Sequence, residues 1–225
     1  MFNGGRPVRA EMRVGILGSG PVGQALGAGF AAHGHEVRIG SKDPLKPELV
    51  AWKKATPGPV STGTFADAAE FGELLVLCCL GEASIQVIDL AGPSHFDGKV
   101  LIDATNPLDF SRGMPPALFV GTTDSLGERH QRKLPDARVV KCFNIVPNSV
   151  MTLPRVGGAT PTMIIAGNDG AAKSTVIGVL KEFGWSGTVD IGPIEGARWL
   201  EALTALWVRV AVGVGNFGVA FKVLS

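Results

Sequence analysis

The chain has 225 residues, enough to bury one sizeable core with an extension but too few for two full domains. Its charge is nearly balanced, with 21 Lys and Arg against 20 Asp and Glu and a formal net charge of +1. It contains no run of basic residues that could follow a nucleic-acid backbone, so nucleic acid is a poor candidate partner.

The leader and the cysteine usage favour a reduced, cytoplasmic protein. Residues 1–11 are polar and lack the apolar segment of a signal peptide, so we expect a disordered leader before a single domain over 12–225. We expect no membrane span, because charged residues and glycines interrupt the most apolar stretch. The three cysteines, Cys78, Cys79 and Cys142, and the four histidines lack the spacing of disulfides or zinc ligands, so we expect no metal.

Strand-like and helical segments alternate along the first part of the chain. Runs rich in Val, Ile and Leu predict strands at 13–17, 36–39, 74–80, 100–102 and 138–143. Helical patterns are predicted at 21–33, 47–54, 84–91 and 125–134, the last beginning at a capping box of Ser125 and Glu128. Such alternation is typical of βαβ units, so we expect a doubly wound α/β fold with a mostly parallel sheet.

The second part of the chain is predicted to extend this sheet. A strand at 163–166, a helix at 171–183 and a strand at 185–191 indicate a C-terminal βαβ unit. The terminal helix carries apolar residues at three-and-four spacing, namely Trp199, Leu200, Leu203, Leu206, Trp207, Val210 and Val214. We expect them to form one buried face. The pattern leaves open whether this face packs on its own domain or on a second copy in a homodimer.

A glycine-rich turn joins the first strand to the first helix. The segment Gly18-Ser19-Gly20-Pro21-Val22-Gly23 has the G-x-G-x-x-G pattern of a Rossmann-type dinucleotide site. The first glycine permits the tight turn, the second lets the backbone approach a pyrophosphate, and the third lets helix and strand pack closely. The helix N-terminus then offers free N–H groups to the phosphates, so the sequence predicts a bound dinucleotide.

The end of the second strand indicates which dinucleotide is bound. An NAD-selecting site places an Asp or Glu there to bind the adenosine ribose hydroxyls, and none is present. Ser41 and Lys42 instead offer a hydroxyl and a cation, which suit the 2′-phosphate of NADP(H). Asp43 lies further along, before Pro44, where a turn role is expected. The alternative for Ser41 and Lys42 is a solvated loop.

Several nicotinamide-dependent classes are excluded by the chemistry they need. The chain has no tyrosine, so it cannot be a short-chain dehydrogenase, which uses a Tyr as general acid. Dehydrogenases of the β-hydroxyacid type add a large helical domain, for which the residues after 148 leave too little chain. A flavin-like acceptor ring needs little added protein, because hydride passes directly from the nicotinamide to a ring stacked against it.

The glycine turn, the Gly40-Ser41-Lys42 segment, DATNP at 103–107 and VKCFN at 140–144 together resemble the F420-dependent NADP oxidoreductase family. The likeness runs over about 12–207. It implies hydride exchange between NADP(H) and the deazaflavin coenzyme F420, and it favours a dimer. The cytoplasmic domains of the STEAP metalloreductases are similar too, and there the acceptor is a flavin.

By position, the resemblance assigns further binding residues. It implies that Leu80 and Gly81 border the pyrophosphate and nicotinamide ribose, that Asn106 reaches the ribose or nicotinamide, and that Asn148 contacts the nicotinamide amide. All lie at the carboxyl ends of predicted strands, where open α/β sheets bind ligands. For each asparagine the alternative is a turn side chain that bonds its own backbone. No catalytic side chain is assigned.

Two features bear on the acceptor. Ser149 stands where the flavin-binding relatives place an aromatic residue, and the long loop 108–124 is predicted to act as a lid. The leading hypothesis is an NADP(H)-dependent oxidoreductase that uses a deazaflavin or flavin acceptor. The alternatives are an NADP(H)-binding sensor without turnover and a reductase of a small carbonyl or imine.

Overall fold

The computed structural model describes residues 11–224 and has one central sheet of eight strands. The strands of the chain are β1 (Arg13–Leu17), β2 (Glu36–Gly40), β3 (Val60–Gly63), β4 (Leu74–Leu77), β5 (Val100–Asp103), β6 (Leu108–Asp109), β7 (Ala117–Leu118), β8 (Arg138–Lys141), β9 (Met163–Gly167) and β10 (Thr188–Asp190). The helices are α1 (Pro21–Ala32), α2 (Pro47–Ala55), α3 (Phe65–Phe71), α4 (Ser84–Ala91), α5 (Leu126–Lys133), α6 (Asn148–Met151), α7 (Gly170–Glu182) and α8 (Ala197–Val214).

The sheet has the strand order β10-β9-β8-β5-β4-β1-β2-β3. Its six strands from β3 to β8 are parallel, which is the Rossmann arrangement with a crossover at β1. The strand β9 pairs with β8 in the antiparallel sense, and β10 returns parallel to β9 after α7. The predicted fold class, a mostly parallel doubly wound sheet with a C-terminal βαβ extension and a terminal helix, is confirmed.

The strands read as continuous apolar runs because both faces of the sheet are covered. In β4, Leu74 and Val76 point into one core cluster, while Leu75 and Leu77 point into the other. All four side chains are buried. The same alternation in the neighbouring strands places two hydrophobic layers against the helices, so the carboxyl edge of the sheet is held rigidly.

Several predicted element bounds were wrong. The strand predicted over 74–80 ends at Leu77, so the next three residues form a loop. The prediction missed β3 and α3, although Thr64 and Asp67 form a reciprocal capping box that marks the start of α3 in the sequence. At Ser125 only half of the expected capping box is present, because the carboxylate of Glu128 accepts from the Ser125 hydroxyl and from Arg198 instead.

The predicted apolar face of the terminal helix does not pack as one buried surface on its own domain. Of its seven residues only Leu200 is fully buried, and Trp199 is 61% exposed and Leu206 51% exposed. The buried face is made of Ala197, Leu200, Glu201, Thr204, Val208 and Ala211. Polar side chains take the inner positions because they have buried hydrogen-bonding partners, which the apolar periodicity cannot reveal.

The leader predicted over 1–11 lies outside the described residues except for Glu11. Within the described part of the chain, no helix combines the length and apolar character needed to cross a membrane. The same residues contain no cluster of three or more His, Cys, Asp or Glu side chains arranged to hold a metal ion.

Candidate functional site

A cavity of about 960 Å³ opens at the carboxyl ends of the central strands, at the top of the usual size range for small-molecule sites. It lies beside β1, where the strand order reverses, which is the ligand-binding position of open α/β sheets. Ten of the twelve predicted site residues line it: Gly18, Ser19, Gly20, Pro21, Val22, Ser41, Lys42, Leu80, Gly81 and Asn106. Gly23 and Asn148 are not on its wall.

The glycine turn has the geometry that a phosphate cradle needs. Gly18 adopts a φ of +145°, and a Cβ there would lie 2.8 Å from the backbone of Cys78. A Cβ added at Gly20 would meet no described atom within 4 Å, so this position faces open space at the N-terminus of α1. A Cβ at Gly23 would clash with the carbonyl oxygen of Gly18. Gly20 therefore leaves room for a ligand, whereas Gly23 serves helix packing.

The end of β2 presents hydroxyl and cationic groups to the cavity. The Ser41 side chain is buried, and its Oγ accepts from Ser19 Oγ at 3.1 Å and from the Asp43 backbone N–H at 3.2 Å. The Lys42 ammonium donates to Gln86 Oε1 across 3.2 Å. Lys46 lines the same end of the cavity and was not predicted. Its sequence signal is a second lysine shortly after Lys42, directly before α2.

The carboxylate of Asp43 is used in a turn, as predicted. Its Oδ1 accepts from the backbone N–H of Leu45 at 3.0 Å, which forms an Asx turn before α2. This carboxylate is therefore directed to its own loop rather than held at the end of β2 for ribose hydroxyls.

The opposite end of the cavity is formed by the loops that follow β4 and β5. Gly81 packs so closely on Asn106 that a Cβ would clash with the Asn106 carbonyl oxygen, so glycine is needed for the two loops to meet. The Asn106 amide does not make the turn contact considered from sequence, because its Nδ2 donates to the backbone carbonyl of Asn144 at 2.9 Å.

Asn148 and the loop 108–124 have different relations to the cavity. Asn148 begins the short helix α6 and is half-buried away from the cavity wall, so its nicotinamide contact stays a prediction. The loop folds into a β6–β7 hairpin, whose residues Leu108, Asp109, Phe110 and Ser111 line the cavity. The hairpin thus borders the site, and closure over it stays a prediction.

A buried charged cluster lies behind the end of the cavity that Gly81 and Asn106 form. Lys141 Nζ is 3.1 Å from Asp103 Oδ2 and 2.7 Å from Glu201 Oε1, and all three side chains are at most 3% exposed. Burial opposes ionisation, but Lys141 and His130 hold the pKa of Asp103 well below its ordinary value, and the two carboxylates raise the pKa of Lys141. The sequence signal for this cluster is a charged residue at the end of each of two apolar strands.

The same cluster contains a Ser-His-Asp chain that cannot act as a hydrolase triad. His130 Nδ1 lies 3.0 Å from Asp103 Oδ2, and His130 Nε2 lies 2.8 Å from Ser84 Oγ. All three side chains are 0% exposed, and Ser84 Oγ also bonds the Gly81 carbonyl at 2.7 Å. A substrate has no access to this hydroxyl, so the chain supports the Gly81 loop instead.

The cysteines have no reactive thiolate. Burial raises the pKa of Cys78 and of Cys142, and burial together with the charge of Asp103 raises the pKa of Cys79 to about 12. Cys79 lines the cavity, yet it stays a neutral thiol near neutral pH.

Comparisons with known proteins agree with this geometry. The family model for coenzyme F420-dependent NADP oxidoreductases matches residues 13–107. The F420-dependent NADP reductase of Methanocaldococcus jannaschii is 26% identical over 224 residues, 95% of this chain and 99% of the relative. The metalloreductase STEAP3 of Rattus norvegicus is 28% identical over 196 residues, covering 85% of this chain and 36% of that longer protein.

A solved structure extends the comparison to nearly the whole chain. It is that of a candidate F420-dependent NADP reductase from Arthrobacter sp. FB24, which is 40% identical with a TM-score of 0.91. The match covers 95% of this chain and 100% of that one. The solved structure is similar over nearly the whole chain, and the family model matches the segment that contains the glycine turn. The chain therefore belongs to the F420-dependent NADP oxidoreductase family.

Proposed function

We propose that this protein transfers hydride between NADP(H) and a ring acceptor, either the deazaflavin F420 or a flavin. Family membership makes it an NADP-dependent oxidoreductase with NADP(H) as its dinucleotide. The identity of the acceptor and the residues that contact each ligand are the parts that we propose.

The cavity offers groups suited to both phosphate positions of NADP(H), which supports the proposal. We assign the pyrophosphate to the turn from Gly18 to Val22, where Gly20 leaves open space before the N-terminus of α1. We assign the 2′-phosphate to Ser41, Lys42 and Lys46, which provide a hydroxyl and two cations at one end of the cavity. This cationic end carries the proposal, because Asp43, the carboxylate beside it on the cavity wall, accepts from the backbone N–H of Leu45 in its own turn.

The nicotinamide end of the cavity is apolar and suits a flat ring. Leu80 is 70% exposed and Phe110 is 52% exposed, and both line the cavity, so they offer an exposed apolar surface at the end that Gly81 and Asn106 form. The described residues on the cavity wall include no histidine, and Cys79 holds its proton tightly. A ring acceptor that takes hydride directly and a proton from water needs no side-chain acid here.

The acceptor is tested by mixing the protein with NADPH and F420 and following deazaflavin absorbance, with FMN in parallel. We expect NADPH and a proton to reduce the ring and leave NADP⁺. Turnover of FMN alone would select the flavin version. Tight NADPH binding without turnover of either ring would overturn the proposal in favour of a sensor, and turnover of carbonyls or imines would replace the ring acceptor.

We further propose a homodimer formed through the outer face of α8, in a reducing, cytoplasmic setting. Trp199, Leu206 and Val214 are each more than half exposed on this helix, an apolar surface that a second copy would cover. Light scattering should give twice the monomer mass for the wild type and the monomer mass for Leu206→Lys. A monomeric wild type at micromolar concentration would contradict the dimer.

A further inference from the structure

The amide of Asn106, at the nicotinamide end of the cavity, is oriented by Asn144. Asn106 Nδ2 donates to the Asn144 backbone carbonyl at 2.9 Å, and Asn144 Nδ2 donates to Asn106 Oδ1 at 3.0 Å. Both ends of the Asn106 amide are thus engaged, so the positions of its oxygen and nitrogen are fixed. One proton and one lone pair remain free for a ligand.

Asn144 is itself held by α8. Its Nδ2 also lies 3.0 Å from the Leu200 carbonyl and 3.1 Å from Thr204 Oγ1, and Thr204 Oγ1 donates to the Asn144 carbonyl at 2.9 Å. Acceptors surround Nδ2, whereas Asn144 Oδ1 is buried and finds no partner among the described residues. A buried oxygen without a hydrogen-bond partner lowers the free energy of unfolding. The surrounding acceptors hold the Asn144 amide in this orientation despite that loss of stability.

The backbone before Asn144 is also in an unfavourable conformation. Phe143 has a φ of +66°, in the left-handed region that bulky residues rarely adopt, and its side chain is fully buried. Such conformations persist where the surrounding structure imposes them, and they gather at functional sites. The strained residue Phe143 directly precedes Asn144, whose side-chain oxygen has no partner, and Asn144 bonds Asn106 on the cavity wall.

We propose that Asn144 and Thr204 are positioning residues that orient Asn106 toward the nicotinamide end of NADP(H). The inference rests on the proposed function for the identity of the ligand. It makes binding of the nicotinamide half depend on α8, a helix far along the chain from the glycine turn. The adenosine half, assigned to Ser41 and Lys42 at the other end of the cavity, does not depend on it.

The test uses Thr204→Val, which keeps the shape of the side chain and removes its hydroxyl. Calorimetric titration with NADPH and with 2′,5′-ADP measures the two halves separately, because 2′,5′-ADP lacks the nicotinamide. We expect NADPH to bind roughly two- to tenfold more weakly and 2′,5′-ADP to change by less than about twofold. Thr204→Ser, which restores the hydroxyl, should recover NADPH affinity.

Thr175→Val is the matched control. Thr175 Oγ1 donates to the Ala171 carbonyl on α7 at 3.1 Å, a distance close to the 3.2 Å between Thr204 Oγ1 and the Leu200 carbonyl, but Thr175 lies away from the cavity. This control should leave both affinities unchanged.

Wild-type NADPH affinity in folded Thr204→Val, or equal weakening of both ligands, would overturn the inference. If Thr204→Val does not fold, Thr204→Ala is judged by the same two titrations. Failure of the wild type to bind NADPH would instead remove the proposed function.

Discussion

Lys141 occupies a position that few lysines take, fully buried between the carboxylates of Asp103 and Glu201. The sequence shows Asp103 and Lys141 at the ends of apolar strands, so their proximity at one sheet edge could be predicted. Glu201 could not, because its position depends on how α8 packs. There its carboxylate also accepts from the backbone N–H groups of Leu126 and Gly127 at 2.9 and 3.1 Å, at the start of α5.

Removing the lysine should destabilise the fold strongly. Lys141→Met leaves two buried carboxylates without their cation, and breaking a buried ion pair in this way costs about 3–5 kcal/mol. Urea unfolding at pH 7 measures this loss. The control is Lys133→Met, since Lys133 pairs with Asp89 at the surface and such pairs contribute about 0–1 kcal/mol. Equal losses in the two variants would contradict the assigned role of the cluster.

The loss should also depend on pH. Lys141 and His130 hold the folded pKa of Asp103 below its ordinary value of 3.8 despite burial, so its contribution is present above that value and lost as pH falls through the lowered pKa. Without Lys141, burial acts to raise the folded pKa of Asp103, and stability then falls as pH rises. The difference in unfolding free energy between wild type and Lys141→Met should therefore grow from about pH 4 to pH 7. A constant difference would count against this account.

Lys42 should decide cofactor preference. Its ammonium is exposed at the end of β2, where it can bond a 2′-phosphate, and a hydrogen bond to a charged group contributes about 1.5–3 kcal/mol. Lys42→Ala should weaken NADPH binding about tenfold or more and leave NADH nearly unchanged, as measured by fluorescence titration. Lys53→Ala, an exposed lysine on α2, is the control. Equal loss for both dinucleotides would refute the phosphate assignment.

Among the elements, those that carry their own signal were predicted well. The bounds of β1 were predicted correctly, because burial on both faces makes a strand uniformly apolar. The strand β3 is too short to show a clear apolar pattern. Apolar spacing did not identify the face of α8 that packs on its own domain, because the polar residues Glu201 and Thr204 are buried on that face. Their burial depends on partners in β8 and the loop after it, so no local periodicity could predict it.

The turn between β1 and α1 allows ligand binding and folding to be separated. Gly20→Ala adds a methyl group where the structure has open space, with φ at −81°, so we expect weaker NADPH binding and a stability change within about 0.5 kcal/mol. Gly23→Ala forces a methyl group against the Gly18 carbonyl and should cost about 1–3 kcal/mol. Thermal unfolding and NADPH titration of both variants test the assignment. Loss of stability in Gly20→Ala would show that its role is structural.

At the scale of the whole molecule, the two halves of the chain share their packing. One core cluster runs from Val14 in β1 to Leu200 in α8. The ring of Phe30 on α1 lies 5.0 Å from that of Phe183 after α7, and His35 Nε2 lies 3.0 Å from Glu182 Oε2. The family model ends at residue 107, yet the residues that hold Asn106 come from the second half.

This shared core predicts that residues 12–225 unfold as one domain. We expect a single calorimetric transition whose van't Hoff and calorimetric enthalpies agree, and NADPH should raise its midpoint without splitting it. Trp52 reports on α2 and Trp185 on the segment after α7, so variants that keep one of these tryptophans should give the same midpoint. Two transitions would mean that the C-terminal extension folds separately. The same conclusion would follow if NADPH raised the midpoint reported by Trp52 and left the midpoint reported by Trp185 unchanged. In that case α8 could not couple its stability to the nicotinamide end of the cavity.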